Sequence, residues 1–342
     1  MSRPNRVYSL FSRTTVLCAV VAASCFLSAR DASATVILSD NFSTSTIPTG
    51  AYPTPTATST GYAIAAAKAQ SPAPSIATGH LQFGIAATTG GIEEAQALFT
   101  STPITLSNIG DYVQMTFTFT NTGILASTAT TTGQLSCGMY ISGGNAPKTD
   151  LQASGLSSTL TADATGGAAG WQGYVSQVFQ TGGSSPRVVT RPAQTGPDNT
   201  NQDLVTSGAS SSQSYHNPAG TSLGTTGTDQ TLATGTQYTE DYKITLTAAG
   251  TYQITSALYQ GADTSGTLLS SQSDNATGAN FYSGGFDGMA FGWRSTASVA
   301  TLMDVNSLTV QTNVAAVPEP ASLLLFGLGA AALATVYRRR AG

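Results

Sequence analysis

The chain has 342 residues, of which only 9% are charged, with 36 glycines and long runs of serine and threonine, a profile unlike the Lys-, Glu- and Leu-rich helices of a cytosolic enzyme. Between residues 35 and 317, six Lys or Arg stand against fifteen Asp or Glu, roughly minus nine, which excludes nucleic acid as a natural partner. The formal charge of −4 for the whole chain hides that balance, because four arginines precede residue 35 and three close the C-terminus.

In chain order the first predicted element is a secretion leader. Arg3, Arg6 and Arg13 precede an apolar run over residues 14–29, and Ala32-Ser33-Ala34 supplies the small residues that signal peptidase accepts before Thr35. The run is short for a membrane span, so residues 1–34 read as a cleaved signal peptide with Ala32, Ala34 and Thr35 at the cut. Cys18 and Cys25 fall within it. Only Cys137 remains beyond, so no intrachain disulfide is available and a body of nearly 280 residues is held by its core alone. Cys137 itself reads as a small core residue.

The body, residues 35–311, is read as strands. Val36 to Leu38 and the run Leu38-Ser39-Asp40-Asn41-Phe42 open it, and residues 63–70 are the nearest approach to helical spacing, cut short by Pro72 and Pro74. In residues 112–120, Val113, Met115, Phe117 and Phe119 alternate with polar residues, the pattern of a half-buried antiparallel strand. Leu135, Cys137, Met139 and Ile141 repeat it. Tyr242, Ile244 and Leu246, then Ala248-Ala249-Gly250, then Tyr252, Ile254 and Leu258 predict a hairpin. Met289, Phe291 and Trp293 form another strand, and Leu308 to Val310 is expected beside Val36 to Leu38, since domain ends often meet. Residues 180–240 hold few large apolar side chains; they contain weak edge strands around Leu204 and Leu232, or form a Ser/Thr-rich surface loop. Short alternating strands between Gly, Ser, Thr and Asn predict an all-β antiparallel sandwich.

Candidate chemistry in the body is sparse. Gly220-Thr221-Ser222-Leu223-Gly224 fits the G-x-S-x-G pattern, but its flanks are Gly/Thr loop where a nucleophile elbow needs a strand before and a helix after. His80 and His216, the only histidines, have no second His or Cys at metal-ligand spacing, so neither a metal site nor any cofactor is expected. Glu93-Glu94 and Glu240-Asp241 are neighbours on strands and point to opposite faces, which keeps either pair from flanking a glycosidic bond; they read as solvated strand ends. Trp171 and Trp293, with several tyrosines, are the candidates for a sugar-stacking surface, against a simpler place in the core. Asp263, Asp274 and Asp287 are expected in loops without a calcium-loop spacing. No catalytic residue is assigned. Asn41-Phe42-Ser43 and Asn275-Ala276-Thr277 are sequons by pattern alone.

Residues 312–317 read as a linker. Pro318-Glu319-Pro320 then leads into an apolar stretch over 321–337 and stops at Arg338, Arg339 and Arg340. Seventeen residues of helix cover about 25 Å, just under a hydrocarbon core of about 30 Å, so Tyr337 and the arginines complete the span by snorkelling. Positive residues stay cytoplasmic, which puts the body on the exported side. The two prolines forbid helix through Val317 and Glu319 and leave an extended stub at the membrane surface.

This tail, over residues 318–342, resembles the PEP-CTERM sorting signal of Gram-negative bacteria. The resemblance implies recognition of Pro318, Glu319 and Pro320 by an exosortase, a membrane transpeptidase, after transient anchoring in the inner membrane, and delivery to the cell surface, outer membrane or extracellular matrix. It says nothing of the body's activity, because the passengers of this signal are diverse. The order of the body's strands, from Leu38 through residues 286–293 to 302–310, resembles the concanavalin-like jelly rolls. The expectation is an exported structural or adhesive protein without enzymatic activity; the alternative is a carbohydrate-binding module or polysaccharide-active enzyme on the same sandwich, with extracellular polysaccharide as partner.

Overall fold

The computed structural model describes residues 33–67, 73–77, 79–85, 92–122, 133–147, 167–180, 187–193, 204–205, 220–224, 230–295 and 301–314. Residues Thr35–Val314 form one compact unit. Its strands are β1 (Thr35–Asp40), β2 (Ala63–Ala67), β3 (Ser75–Ala77), β4 (His80–Ile85), β5 (Ile92–Leu98), β6 (Ile104–Thr105), β7 (Tyr112–Asn121) and β8 (Gly133–Ile141). There follow β9 (Gln172–Gln180), β10 (Val188–Arg191), β11 (Gln237–Ala248), β12 (Thr251–Gln260), β13 (Thr267–Thr277), β14 (Gly285–Phe286), β15 (Gly288–Ser295) and β16 (Thr301–Thr312). All pairs of named strands are antiparallel, as the sequence predicts.

Two sheets stack into a sandwich. One runs β13-β12-β11-β7-β16-β4-β3, with β1 also on β16; the other runs β10-β9-β8-β15-β5-β2. β7 shows why they pack: Val113, Met115, Phe117 and Phe119 are all fully buried while Gln114 and Thr116 are half-exposed. Phe117 meets Phe291 of the opposite sheet with ring centroids 5.3 Å apart, and Tyr62 continues the contact to Phe291 at 6.2 Å and to Phe42 at 5.4 Å. This aromatic band supplies large apolar area at a few positions, each such ring contributing about 2–3 kcal/mol when buried.

The predicted hairpin is β11–β12, turning at Ala249-Gly250 with Gly250 at φ +72°, a left-handed conformation that favours glycine. Val36 to Leu38 and the last strand do meet: Leu38 pairs with Val310. The opening strand, however, ends at Asp40, and Phe42 turns at φ 59° with its ring buried. That turn is held by Asp40, whose Oδ1 accepts the Phe42 N–H at 2.6 Å and whose Oδ2 accepts from Ser45 Oγ at 2.6 Å and Tyr62 OH at 2.7 Å. Residues 63–67, the nearest to helical spacing, are strand β2.

A second layer covers the outer face of the six-stranded sheet. A short 3-10 turn, Gly167–Gly170, with Trp171 and the pair Leu204-Val205, packs on Tyr140, Val175, Val189 and Ala290. Of segment 180–240 only residues 180, 187–193, 204–205, 220–224 and 230–240 are described, and the weak edge strands expected around Leu204 and Leu232 are not there. Leu204 and Leu232 are fully buried outside any strand, and the described residues of the segment include β10 and the start of β11 at Gln237.

Candidate functional site

The structure scatters the sequence candidates rather than gathering them. Trp171 is fully buried: its Nε1–H donates to the Asn145 carbonyl at 2.9 Å, and its ring lies 6.0 Å from that of Tyr140. It presents no face to a sugar, which corrects the stacking-surface expectation for this residue. Gly288 lies so close beneath the ring that a Cβ there would meet Trp171 Cζ3 at 2.5 Å. Trp293 pairs through its backbone with Leu135 and Glu93, and its side chain lies outside the described residues.

The carboxylate pairs lie on opposite strand faces as expected, but they are not solvated strand ends. Glu93 and Glu94 are both fully buried within β5, because that strand is covered on each side. Glu94 faces the outer layer, where Oε1 accepts from Gln96 Nε2 at 2.5 Å and from the Leu204 N–H at 2.8 Å, and Oε2 from the Val205 N–H at 3.0 Å. Glu93 shares the inter-sheet side of β5 with Ala95 and Ala97. Neither of its oxygens makes a hydrogen bond of full geometry, the Gly84 backbone acting on the carboxyl less than burial does. Burial pushes its carboxyl up to about 9 against a smaller opposing effect of the Gly84 backbone, so at neutral pH it is held as the acid.

Glu240 is buried between the two sheets. Ser176 Oγ on β9 donates to Ser256 Oγ on β12 at 2.7 Å, and Ser256 Oγ donates to Glu240 Oε1 at 2.5 Å, a chain that bridges the two sheets. Burial raises Glu240 to about 8, with the Ser256 hydrogen bond opposing and the charge of Asp241 adding. Asp241, on the outer face of the sheet, accepts from Gln114 Nε2 at 2.5 Å and Thr116 Oγ1 at 3.1 Å. Cys137 is fully buried, and burial first, then the nearby Glu240 and Asp241 charges, push its thiol well above the ordinary range, which disqualifies it as a nucleophile.

Of the three aspartates expected in loops, Asp263 is in an exposed turn, its Oδ1 accepting from the Ser265 N–H at 2.8 Å and hydroxyl at 2.5 Å. Asp274 is a buried residue of β13 instead. Asp287 is buried between β14 and β15, where it accepts from the Ser142 N–H at 2.8 Å and the Ser142 hydroxyl at 2.6 Å; burial raises its pKa, the Ser142 bonds opposing. No group of three or more His, Cys, Asp or Glu able to hold a metal occurs among the described residues. His80 begins β4, its Nε2 lying 3.9 Å from Asp304 Oδ1; His216 is outside the described residues. Ser222 is exposed and forms a bridge to Val189 at the edge of β10, extended backbone rather than a nucleophile elbow. Sequence reading missed Arg191, fully buried on β10, which donates from one Nη to the carbonyls of Ala169 and Trp171. An arginine amid Val and Thr carries no pattern that announces burial.

The ends of the body are placed more informatively. Thr35, the expected first residue after signal-peptidase cleavage, begins β1 and pairs with Thr312 at the end of β16. Ala34 precedes it, while Ala32 and the leader lie outside the described residues, as do Pro318, Glu319, Pro320, the expected helix over 321–337 and Arg338 to Arg340. Among the described residues no helix is long and apolar enough to cross a membrane.

Residues 316–340 match the PEP-CTERM protein-sorting motif. The chain is therefore an exported protein of the kind an exosortase sorts, with a membrane-anchored C-terminal tail. Solved structures similar to it are lectin folds. The Emp47p carbohydrate recognition domain aligns at 11% identity and a TM-score of 0.40, over 82% of this chain and 98% of that one. The exoplasmic/lumenal domain of VIP36 in its Ca2+-bound form aligns at 9% and 0.37, over 73% and 82%. Lectin II from Ulex europaeus aligns at 15% and 0.33, over 73% and 93%. No curated protein matches the sequence.

Proposed function

We propose that the chain is a surface or matrix protein without catalytic activity, whose sandwich is displayed at the cell surface once the leader and the sorting tail have been cut. The observation that carries this reading is the tail: Pro318-Glu319-Pro320, the apolar stretch and the three arginines lie within the matched residues 316–340. The body supports it, because Glu93, Glu94, Glu240 and Asp287, four of its described carboxylates, are buried and so cannot flank a glycosidic bond from an open face. The test is intact mass and cell fractionation of the native protein beside a Glu319→Ala variant. The expected wild type begins at Thr35, lacks the arginine cluster and leaves the inner membrane while the variant stays there whole. Retention of Arg338 to Arg340 by both in the inner membrane would reduce the tail to an anchor.

A second reading, binding of extracellular polysaccharide, is favoured by the outer face of the eight-stranded sheet. Thr116 and Thr120 stand half-buried on β7 to either side of the buried Thr118, with Gln114 between Asp241 and Gln311, the last donating to Gln114 Oε1 at 3.0 Å. A pleated face lined by hydroxyls and amides suits a neutral polyhydroxylated chain. Affinity electrophoresis through the host's own exopolysaccharide tests it, each protein's mobility being taken relative to a gel without polysaccharide: retardation that a Gln114→Ala, Asp241→Ala double variant loses supports binding, and equal relative mobility of both proteins excludes it.

A further inference from the structure

The two ends of the body leave it from one place. Thr35 pairs with Thr312 and Val36 with Gln311. Just beyond, Asn313 Oδ1 accepts the Tyr112 N–H at 2.8 Å, Asn313 Nδ2 donates to the Gly110 carbonyl at 2.9 Å, and the Val314 N–H donates to Thr312 Oγ1 at 3.1 Å. The fold holds the chain as far as Val314, leaving residues 315–317 before Pro318. Fully extended, that gap is about 14 Å from Val314 to Pro318.

The surface at this end differs from the rest of the body. It is built by Thr35 and Val36, the loop 107–110, whose Gly110 N–H is tied to the Leu246 carbonyl at 2.8 Å, the β11–β12 turn over 247–250, and residues 277–279 after β13. All of these residues are exposed and none has a charged side chain; the one charge here is the positive α-amino group that cleavage leaves on Thr35. The neighbouring carboxylate, Asp111, is turned inward at 8% exposure, its Oδ2 accepting the N–H groups of Ser107 at 2.8 Å and Asn108 at 2.7 Å. Of three large apolar side chains exposed among the described residues, Ile109 at 72% and Val36 at 50% are here, so apolar exposure is concentrated where charged side chains are missing.

We propose that this end, whose described residues expose no carboxylate and are led by Ile109, rests directly on the lipid surface of the membrane that holds the tail, so that the precursor stands end-on until the tail is cut. The inference rests on the sorting reading above. An acidic body is repelled by anionic headgroups over about 10 Å at ordinary salt; this end meets them without that repulsion, and the loop-tip Ile109 with Val36 gains by entering the headgroup layer. The short stretch from Val314 to Pro318 permits the contact, and the Asn313 clamp fixes which end makes it.

The experiment uses the chain from Thr35 to Gly342 in vesicles of phosphatidylethanolamine and phosphatidylglycerol that carry a headgroup spin label. A fluorophore is placed at Ala249→Cys, beside Ile109, or at Thr264→Cys in the opposite turn; native Cys137 is buried. To separate contact from simple tethering, a flexible Gly-Ser segment is inserted after Val314. The expected result is that, with the insertion present, the dye at residue 249 is still quenched about fivefold more than that at 264, and that adding Ile109→Asp removes the difference. If residues 249 and 264 are quenched alike once the linker is lengthened, or if Ile109→Asp changes nothing, the contact does not exist or is made to something other than lipid, and the proposal falls. If the chain fails to float with the vesicles at all, it is the reading of the tail that fails instead.

Discussion

Glu93 and Glu94 are adjacent on one strand, equally buried, and treated in opposite ways. On the outer face of the six-stranded sheet, Glu94 receives three N–H donors and binds down the segment at Leu204-Val205. On the inter-sheet face, Glu93 has no such donors and is kept neutral by burial. The difference teaches that the outer layer is fastened by directed polar contacts, whereas the inter-sheet core is apolar packing that tolerates a carboxyl only while it keeps its proton.

Four measurements sharpen or break that contrast. The largest effect is expected for Trp171→Ala, which empties the centre of the outer layer: a loss of about 4 kcal/mol in denaturant unfolding. If instead the layer peels away separately, the loss is small and hydrogen exchange rises only at residues 167–171 and 204–205. Next, Glu94→Ala strands the buried N–H groups of Leu204 and Val205 and should cost about 3 kcal/mol, with new proteolytic cuts confined to that segment. An equal loss spread over both sheets would dissolve the distinction between the faces.

The third concerns pH. Glu93 and Glu240 have folded-state values of about 9 and about 8, raised from an ordinary 4.5. A raised carboxyl stabilises the fold fully below about pH 4.5, and that stability is lost as pH climbs towards 8 and 9, at up to about 1.4 kcal/mol per unit for each group. The midpoint of urea unfolding should fall steadily from pH 5 to pH 8, and Glu93→Gln should flatten the fall and raise stability at pH 8 by about 2 kcal/mol. A Gln variant no more stable than wild type at pH 8 would mean that Glu93 finds a partner after all. The smallest effect, about 1 kcal/mol, is expected for Asn313→Ala, which breaks two hydrogen bonds at a strand end and touches neither face; a scanning calorimeter should see a shift of a few degrees at most.

Much of the sandwich was legible because one-sided strands write their burial into the sequence. β12 alternates throughout and β7 and β11 along most of their length, while the meeting of the first and last strands followed from the closeness of domain ends. β5 and β2 were not legible. Strands covered on both faces lose alternation, and here the covering is close enough that small residues, Ala63, Ala65, Ala95 and Ala97, fill the layer, so Ile92-Glu93-Glu94-Ala95 looks like a polar segment. Arg191, Leu204 and Leu232 escaped for a related reason: each owes its burial to chain that folds over it from far away in sequence. The sorting motif needed no fold to be read, since a linear signal keeps its meaning in its order of residues alone.

The place of β16 gives the body a mechanical character. It runs through the middle of its sheet, laddered over residues 303–312 to β7 on one side, and over 301–305 to β4 and 308–312 to β1 on the other. A steady pull on the C-terminus, opposed by a grip on the far end of the sheet, loads these ladders along the strand, so their bonds share the force and yield together. A pull between the two chain ends opens the Thr35–Thr312 pair first and peels β1 away one rung at a time. A passenger held only by its C-terminal side is loaded in its strong direction.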